Sequence, residues 1–137
     1  MLSLEPILKT RLKALPALTA WAVHGGTDLA DRRVLPAAEV ACEGAAVTAA
    51  QAGGVKVEPS WTVTLVVRRS DEAAGQLDAA FAAVVATLHN FTPANVSGRY
   101  WSALALKRVE APLFGDEGLA GIALTFSTGA AYLASRA

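Results

Sequence analysis

At 137 residues the chain has the length of one ordinary domain, enough to bury roughly two-thirds of its unfolded surface around a single core without disulfide or metal staples. Lys plus Arg and Asp plus Glu both number 12, so no net field draws it to nucleic acid or to an anionic membrane, and no run reaches the ~20 apolar residues of a membrane helix. Hydrophobic residues make up 53% and charged ones only 18%, against roughly 25% in a typical soluble domain, which implies apolar surface covered by a partner.

The first residues lack the order of a signal peptide, because Glu5, Lys9, Arg11 and Lys13 interrupt them. They read instead as a helix. Ser3 is placed to cap it, Pro6 is tolerated in its first turn, and Leu4, Leu8, Leu12 and Leu15 form one apolar line that Pro16 ends. Lys9 and Lys13, with Arg11 near them, occupy the opposite face. A solvated face is the plain reading of these three; a docking face for an acidic partner is the alternative.

Residues 21–24 make a short apolar strand ended by Gly25 and Gly26, and a polar loop follows. Residues 35–42 alternate Ala38, Val40 and Cys42 against Ala37, Glu39 and Ala41, the pattern of a half-buried strand. The lone Cys42 has no partner for a disulfide or a zinc site, suits a reducing compartment, and reads as a small buried apolar side chain. Residues 43–59 are rich in Ala and Gly, with only Val47, Val55 and Val57 to pack. They read as an extended hairpin or a loose loop, and the favoured expectation is an arm that orders against a neighbour.

The clearest unit spans residues 61–91. Trp61, Val63, Leu65 and Val67 fall on every second position of a strand rich in β-branched residues. The period then changes. Ala73 or Ala74, Leu77, Phe81, Val84 and Leu88 form a helical stripe, with Ser70 or Asp71 to cap it and Asp71 and Glu72 near the positive end of its dipole. Beyond the turn residues Pro93, Asn95 and Gly98, residues 100–109 and 120–126 alternate again as a long hairpin, and the tail from residue 129 is small and weakly patterned.

The search for chemistry is nearly empty. His24-Gly25-Gly26 lacks the nucleophile elbow that would make it an oxyanion turn. Two histidines and one cysteine are too few for a metal centre, and the acid pairs Asp28/Asp31, Asp71/Glu72 and Asp116/Glu117 suit loops and a helix start. Phosphate-cradling glycine motifs are absent, and the two Asn-x-Ser/Thr sites carry no weight without a secretion signal. The expectation is no catalytic, cofactor-binding or metal-binding residue. Trp21, Trp61 and Trp101 are evenly spaced but start unlike elements, so they do not mark a repeat. The fold implied is a single α+β domain, 1–137, with a mostly antiparallel sheet of four to five strands and two main helices packed on it.

This order of elements resembles the tail terminator or tail completion proteins of long-tailed bacteriophages and prophages. The resemblance lies in Ile7-Leu8-Lys9-Thr10-Arg11-Leu12, in Trp61-Thr62-Val63-Thr64-Leu65-Val66-Val67-Arg68, and in Leu77-Asp78 after the acidic helix start. Leu88-His89-Asn90-Phe91-Thr92-Pro93 and the late strand 119–125 extend it. It implies a homo-oligomeric ring, often a hexamer, that caps the tail tube, ends its polymerisation and presents a surface to the head connector. It also implies a location in the host cytoplasm during assembly and then in the virion tail. Candidate interface residues are Val47, Val55, Val57, Lys9, Arg11 and Lys13. The rival readings are another neck or head–tail connector protein, and a small ligand-binding domain or enzyme with a pocket between sheet and helix.

Overall fold

The computed structural model describes residues 1–134; the last part of the weakly patterned tail, 135–137, lies outside the described residues. Its elements in chain order are α1 (Leu4–Lys13), a short 3₁₀ turn (Pro16–Leu18), β1 (Ala22–Gly25), β2 (Ala37–Gln51), β3 (Gly54–Arg68) and α2 (Ala73–Leu88). They continue with β4 (Ala94–Val96), β5 (Arg99–Trp101), β6 (Ala105–Glu110), β7 (Leu119–Ser127) and β8 (Ala130–Leu133).

Everything is registered on β3. One edge pairs antiparallel with β2 along its full length. The other edge is shared, β7 taking residues 60–68 and β8 residues 54–57. β6 extends the sheet beyond β7, and β1 lies outside the start of β2 in parallel, giving the order β1-β2-β3-β7-β6 with β8 off that path. β4 and β5 form a separate two-stranded ribbon. The architecture is therefore α+β, with one more strand in the main sheet than the alternation alone indicated, because β8 is too short to show a period.

The two faces differ in kind. Trp61, Val63, Leu65 and Val67 point to one side, and their register partners Ala38, Val40, Leu124 and Phe126 join them. The leucine line of α1 and Val84 and Leu88 of α2 close over this layer, so both helices pack on it. The opposite face carries no helix. Thr62 and Thr125 nevertheless are buried there, their hydroxyls 3.1 Å apart across the β3–β7 pair. Arg108 of β6 reaches over this face to Glu43 of β2 at 3.5 Å, so two extended side chains lie across it.

Three expectations change in the structure. The stripe of α2 holds at Ala73, Val84 and Leu88, which are buried together with Ala80, while Leu77 and Phe81 pack against the core half-buried at its flank. Alanine lets the helix lie close to the sheet, so the small residues and not Phe81 sit in the interface. Residues 100–109 are not one strand. Between β5 and β6 the amides of Ser102 and Leu104 donate to the carbonyls of Gly129 and Phe91, which shifts the alternation and buries both Trp101 and Leu104. Neither Ser3 nor Ser70 makes the expected side-chain cap of its helix; Glu72 is the N-cap of α2, and Ser70 Oγ accepts only from the Glu72 amide, at 3.3 Å.

Leu65 is fully buried on the central strand, so Leu65→Ala should cost about 3 kcal/mol, within the range of buried leucine truncations. Phe81→Ala, at the flank, should cost about half as much. Urea unfolding of the two variants checks this, and equal losses would show that α2 is seated on the other face.

Candidate assembly surface

Residues 43–59 are an ordered hairpin. Beyond Cys42 and Trp61, β2 and β3 stay paired out to Gln51 and Gly54, with register shifts between Cys42 and Gly44 and between Val47 and Ala49. Each shift inserts a residue and increases local twist. The hairpin is held from within the chain: β8 adds a third strand, and the amide of Ala134 donates to the carbonyl of Gly53 at 2.9 Å. Gly54 has φ +151° and lies so close to β8 that a Cβ would fall 2.4 Å from the Tyr132 carbonyl, so only glycine fits.

This placement divides the three valines. Val57 lies opposite Val47 on β2 and Ala130 on β8, and Val55 opposite Ala50 and Tyr132; both are half-buried. Val47 alone stays open, at 62% exposure. Tyr132 anchors the underside. It meets Trp101 edge to face at 6.3 Å, and the guanidinium of Arg99 lies 3.8 Å above its ring. The Met1 amine donates to its hydroxyl at 2.6 Å. Nothing in the sequence marked Tyr132 beyond a four-residue apolar stretch. Next to it Leu133 is 86% exposed and Tyr100 on β5 is 78% exposed, and a shallow crevice lies between them.

The outer side of β2 is unlike its inner side. β1 covers β2 only from Ala37 to Val40, and the Gly26 amide closes that contact on the Val40 carbonyl. From Gly44 to Gln51 no strand lies on the outer edge among the described residues, and every one of these side chains is exposed. Cys42 stands at the root of this edge. It is half-buried, not buried as expected, because the chain leaves the helices there, and its Sγ lies 3.6 Å from the Gly44 carbonyl.

The basic residues of α1 are not brought to the hairpin, and two of them serve the fold. Lys9 Nζ sits 2.6 Å from Asp28 Oδ2, which also accepts the Gly25 amide at 2.7 Å. One turn earlier, buried Glu5 accepts the amide of Thr27 at 3.2 Å and its hydroxyl as well. A Cβ at Gly25 would lie 2.5 Å from the Glu5 carboxyl carbon, so any larger residue there would displace the buried carboxylate. Arg11 turns the other way. Its Nη2 donates to the Thr87 carbonyl at 3.0 Å, and its guanidinium lies 3.9 Å over the Phe91 ring. Lys13, in the last turn, is exposed.

His24 and His89 hold different positions. His89 Nδ1 accepts the amide of Leu106 at 3.1 Å, tying the end of α2 to β6. His24 is buried on the helix-free face with Nδ1 3.3 Å from Glu39, which Arg32 also holds at 2.8 Å. A cavity of about 270 Å³ opens beside them, bounded by Leu35, Phe114 and Leu119. At that end of the sheet the loop before β7 carries Leu113, 99% exposed, and the loop before β2 carries Leu29, 107% exposed. Sequence reasoning passed over both because single apolar residues in polar loops show no period.

Arg11→Gln should cost about 1–2 kcal/mol through the lost carbonyl bonds and cation–π contact, while Lys13→Gln should stay within about 0.5 kcal/mol. Chemical denaturation of both separates them, and equal effects would return Arg11 to the solvated face. The Lys9 hydrogen bond first, and then the Gly25 amide, lower the Asp28 pKa from 3.8. A depressed carboxylate stabilises the fold above its unfolded pKa and loses that contribution as pH falls through the folded value. Asp28→Asn should therefore flatten the pH dependence of thermal stability below about pH 4; an unchanged acid limb would show that the pair contributes nothing.

No protein-family model matches the chain, and no curated protein matches it. Among solved structures it is similar to a chain of the "Virion of native gene transfer agent (GTA) particle", with a TM-score of 0.66 and 20% identity, over 91% of this chain and 92% of that one. At that identity the likeness establishes a shared fold over nearly the whole of both chains.

Proposed function

We propose that the chain is a structural subunit of a phage-like particle, and more narrowly that it forms the ring that caps the tail tube. In this reading the ring ends tube polymerisation and offers its other surface to the head connector. The observation that carries it is the near full-length likeness to a chain of a gene transfer agent virion. The resemblance of the sequence to tail terminators points the same way, and so does an ordered hairpin whose outer edge and Val47 are left open. Its partners are its own copies, the tube protein and the connector, with no part for nucleic acid or membrane, and it works by shape and not by catalysis. Another neck or head–tail connector protein would use the same fold at a different level of the particle.

Sedimentation velocity of the purified chain should show a concentration-dependent closed oligomer, and negative-stain images should show rings. Added to a polymerising tube protein from the same particle, it should bind one tube end and halt elongation. A monomer at every concentration, together with tubes whose growth is unaffected, would overturn the proposal.

A further inference from the structure

We infer that copies of this chain join head to tail, the β2 edge of one copy's hairpin seating on the Leu113 end of the next. The inference rests on the ring reading and names the surfaces that such a ring uses. Two observations carry it, one at each end of the same sheet.

The first is the unequal protection of the two outer strands. β6 is six residues long, has a register shift between Leu106 and Arg108, and carries Lys107, Arg108 and Glu110. These are the devices that keep a strand edge from pairing. β2 from Gly44 to Gln51 carries no charge and no proline, and its bulge at Thr48 is the one interruption. Uncharged sequence continues to Val55. A row of main-chain donors and acceptors flanked by alanines is open to an added extended segment, which gains hydrogen bonds independent of side-chain identity.

The second is the distribution of exposed apolar side chains. Val47, Tyr100 and Leu133 gather on and beside the hairpin, while Leu29, Val34 and Leu113 gather on the two loops at the far end; Leu2 before α1 and Val109 among the charges of β6 are the other exposed large apolar side chains among the described residues. Those loops share one crevice, where Phe114 of the second lies with Arg32 and Leu35 of the first. The long strands hold the two patches roughly 35–45 Å apart, so no single copy can cover one with the other. The patches are unlike in shape, an open edge and a projecting loop. Contact between unlike patches is heterologous, and such contacts propagate from copy to copy, giving a ring where the rotation closes. A second copy is thus the occupant that satisfies both ends at once.

The test uses the full chain in two variants. Ala46→Lys with Thr48→Lys gives the β2 edge the protection that β6 has; Leu113→Asp blunts the loop. Each should fold as the parent does by circular dichroism and need at least a tenfold higher concentration to assemble in sedimentation. Mixed one to one, they should form a dimer that does not grow, because each supplies the surface the other lacks. A mixture that stays monomeric, or either variant assembling like the parent, overturns the inference while leaving the ring reading intact. A parent chain that never assembles overturns both. Should the lysine variant unfold, amide hydrogen exchange of the parent decides: residues 44–51 must slow at least tenfold on assembly, and unchanged exchange sinks the proposal.

Discussion

The fold depends on β3 being hydrogen-bonded on both edges over nearly its whole length. A 15-residue strand with β2 on one side and β7 and β8 in succession on the other has nearly every main-chain group paired, which fixes the register of all four strands at once. Because side chains alternate across a strand, that single register also decides which residues face the helices. Trp61, Val63, Leu65 and Val67 go to one side together, and a slip of one residue would send all four to the face that has no helix to cover them. The apolar alternation and the ladder therefore support one another.

What the sequence made legible follows from this. Strong period-two alternation marked the core half of β3 and its register partners Ala38, Val40, Leu124 and Phe126, because large apolar residues there meet small or polar ones on the other face. The period of α2 was legible, with Ala73, Val84 and Leu88 in the buried line, but a helix with alanine on most sides offers Phe81 as its largest apolar residue, although the line runs through Ala80 and leaves Phe81 at its flank. The hairpin half of the same strands was open to two readings. Ala, Gly and Val alternate too weakly to declare a strand, and pairing with distant β8 adds a third strand to the hairpin's own ladder. That pairing is a long-range contact, between residues some 75 apart, which no local pattern encodes.

Polar closure explains the part of the molecule where no hydrophobic pattern was available. The turn after β1 is held by buried Glu5 and by Asp28 with Lys9, so two successive turns of α1 reach the same loop through a carboxylate and an ammonium. Such a site satisfies amides that a loop of glycines would leave open. It also explains why the basic face of α1 is a poor guide to partners: of three cations, Lys9 and Arg11 spend their charge inside the fold. The apparent oxyanion turn at Gly25-Gly26 has the same origin, since its glycine admits the Glu5 carboxylate and nothing else is asked of it.

The remaining question is why a chain with only 18% charged residues has apolar side chains left at its two ends and so few along its flanks. Along the flanks the structure deals with exposure by ordinary means. β6 is charged and bulged, and the helix-free face is filled by threonines and alanine, with Arg108 and Glu43 laid across them. An exposed ion pair of this kind adds little stability, so its worth lies in keeping a sheet face wet and unattractive to other sheets. At the hairpin's outer edge the charges are missing, and in the loop before β7 Leu113 stays bare although Asp116 and Glu117 follow it. A chain that protects one sheet edge with Lys107 and Arg108 and leaves the other bare over eight residues is specific about where it can be approached. Since the bare edge and the bare loop lie at opposite ends of one rigid ladder, the direction of approach is set by the length and register of β3, the element that also sets the core.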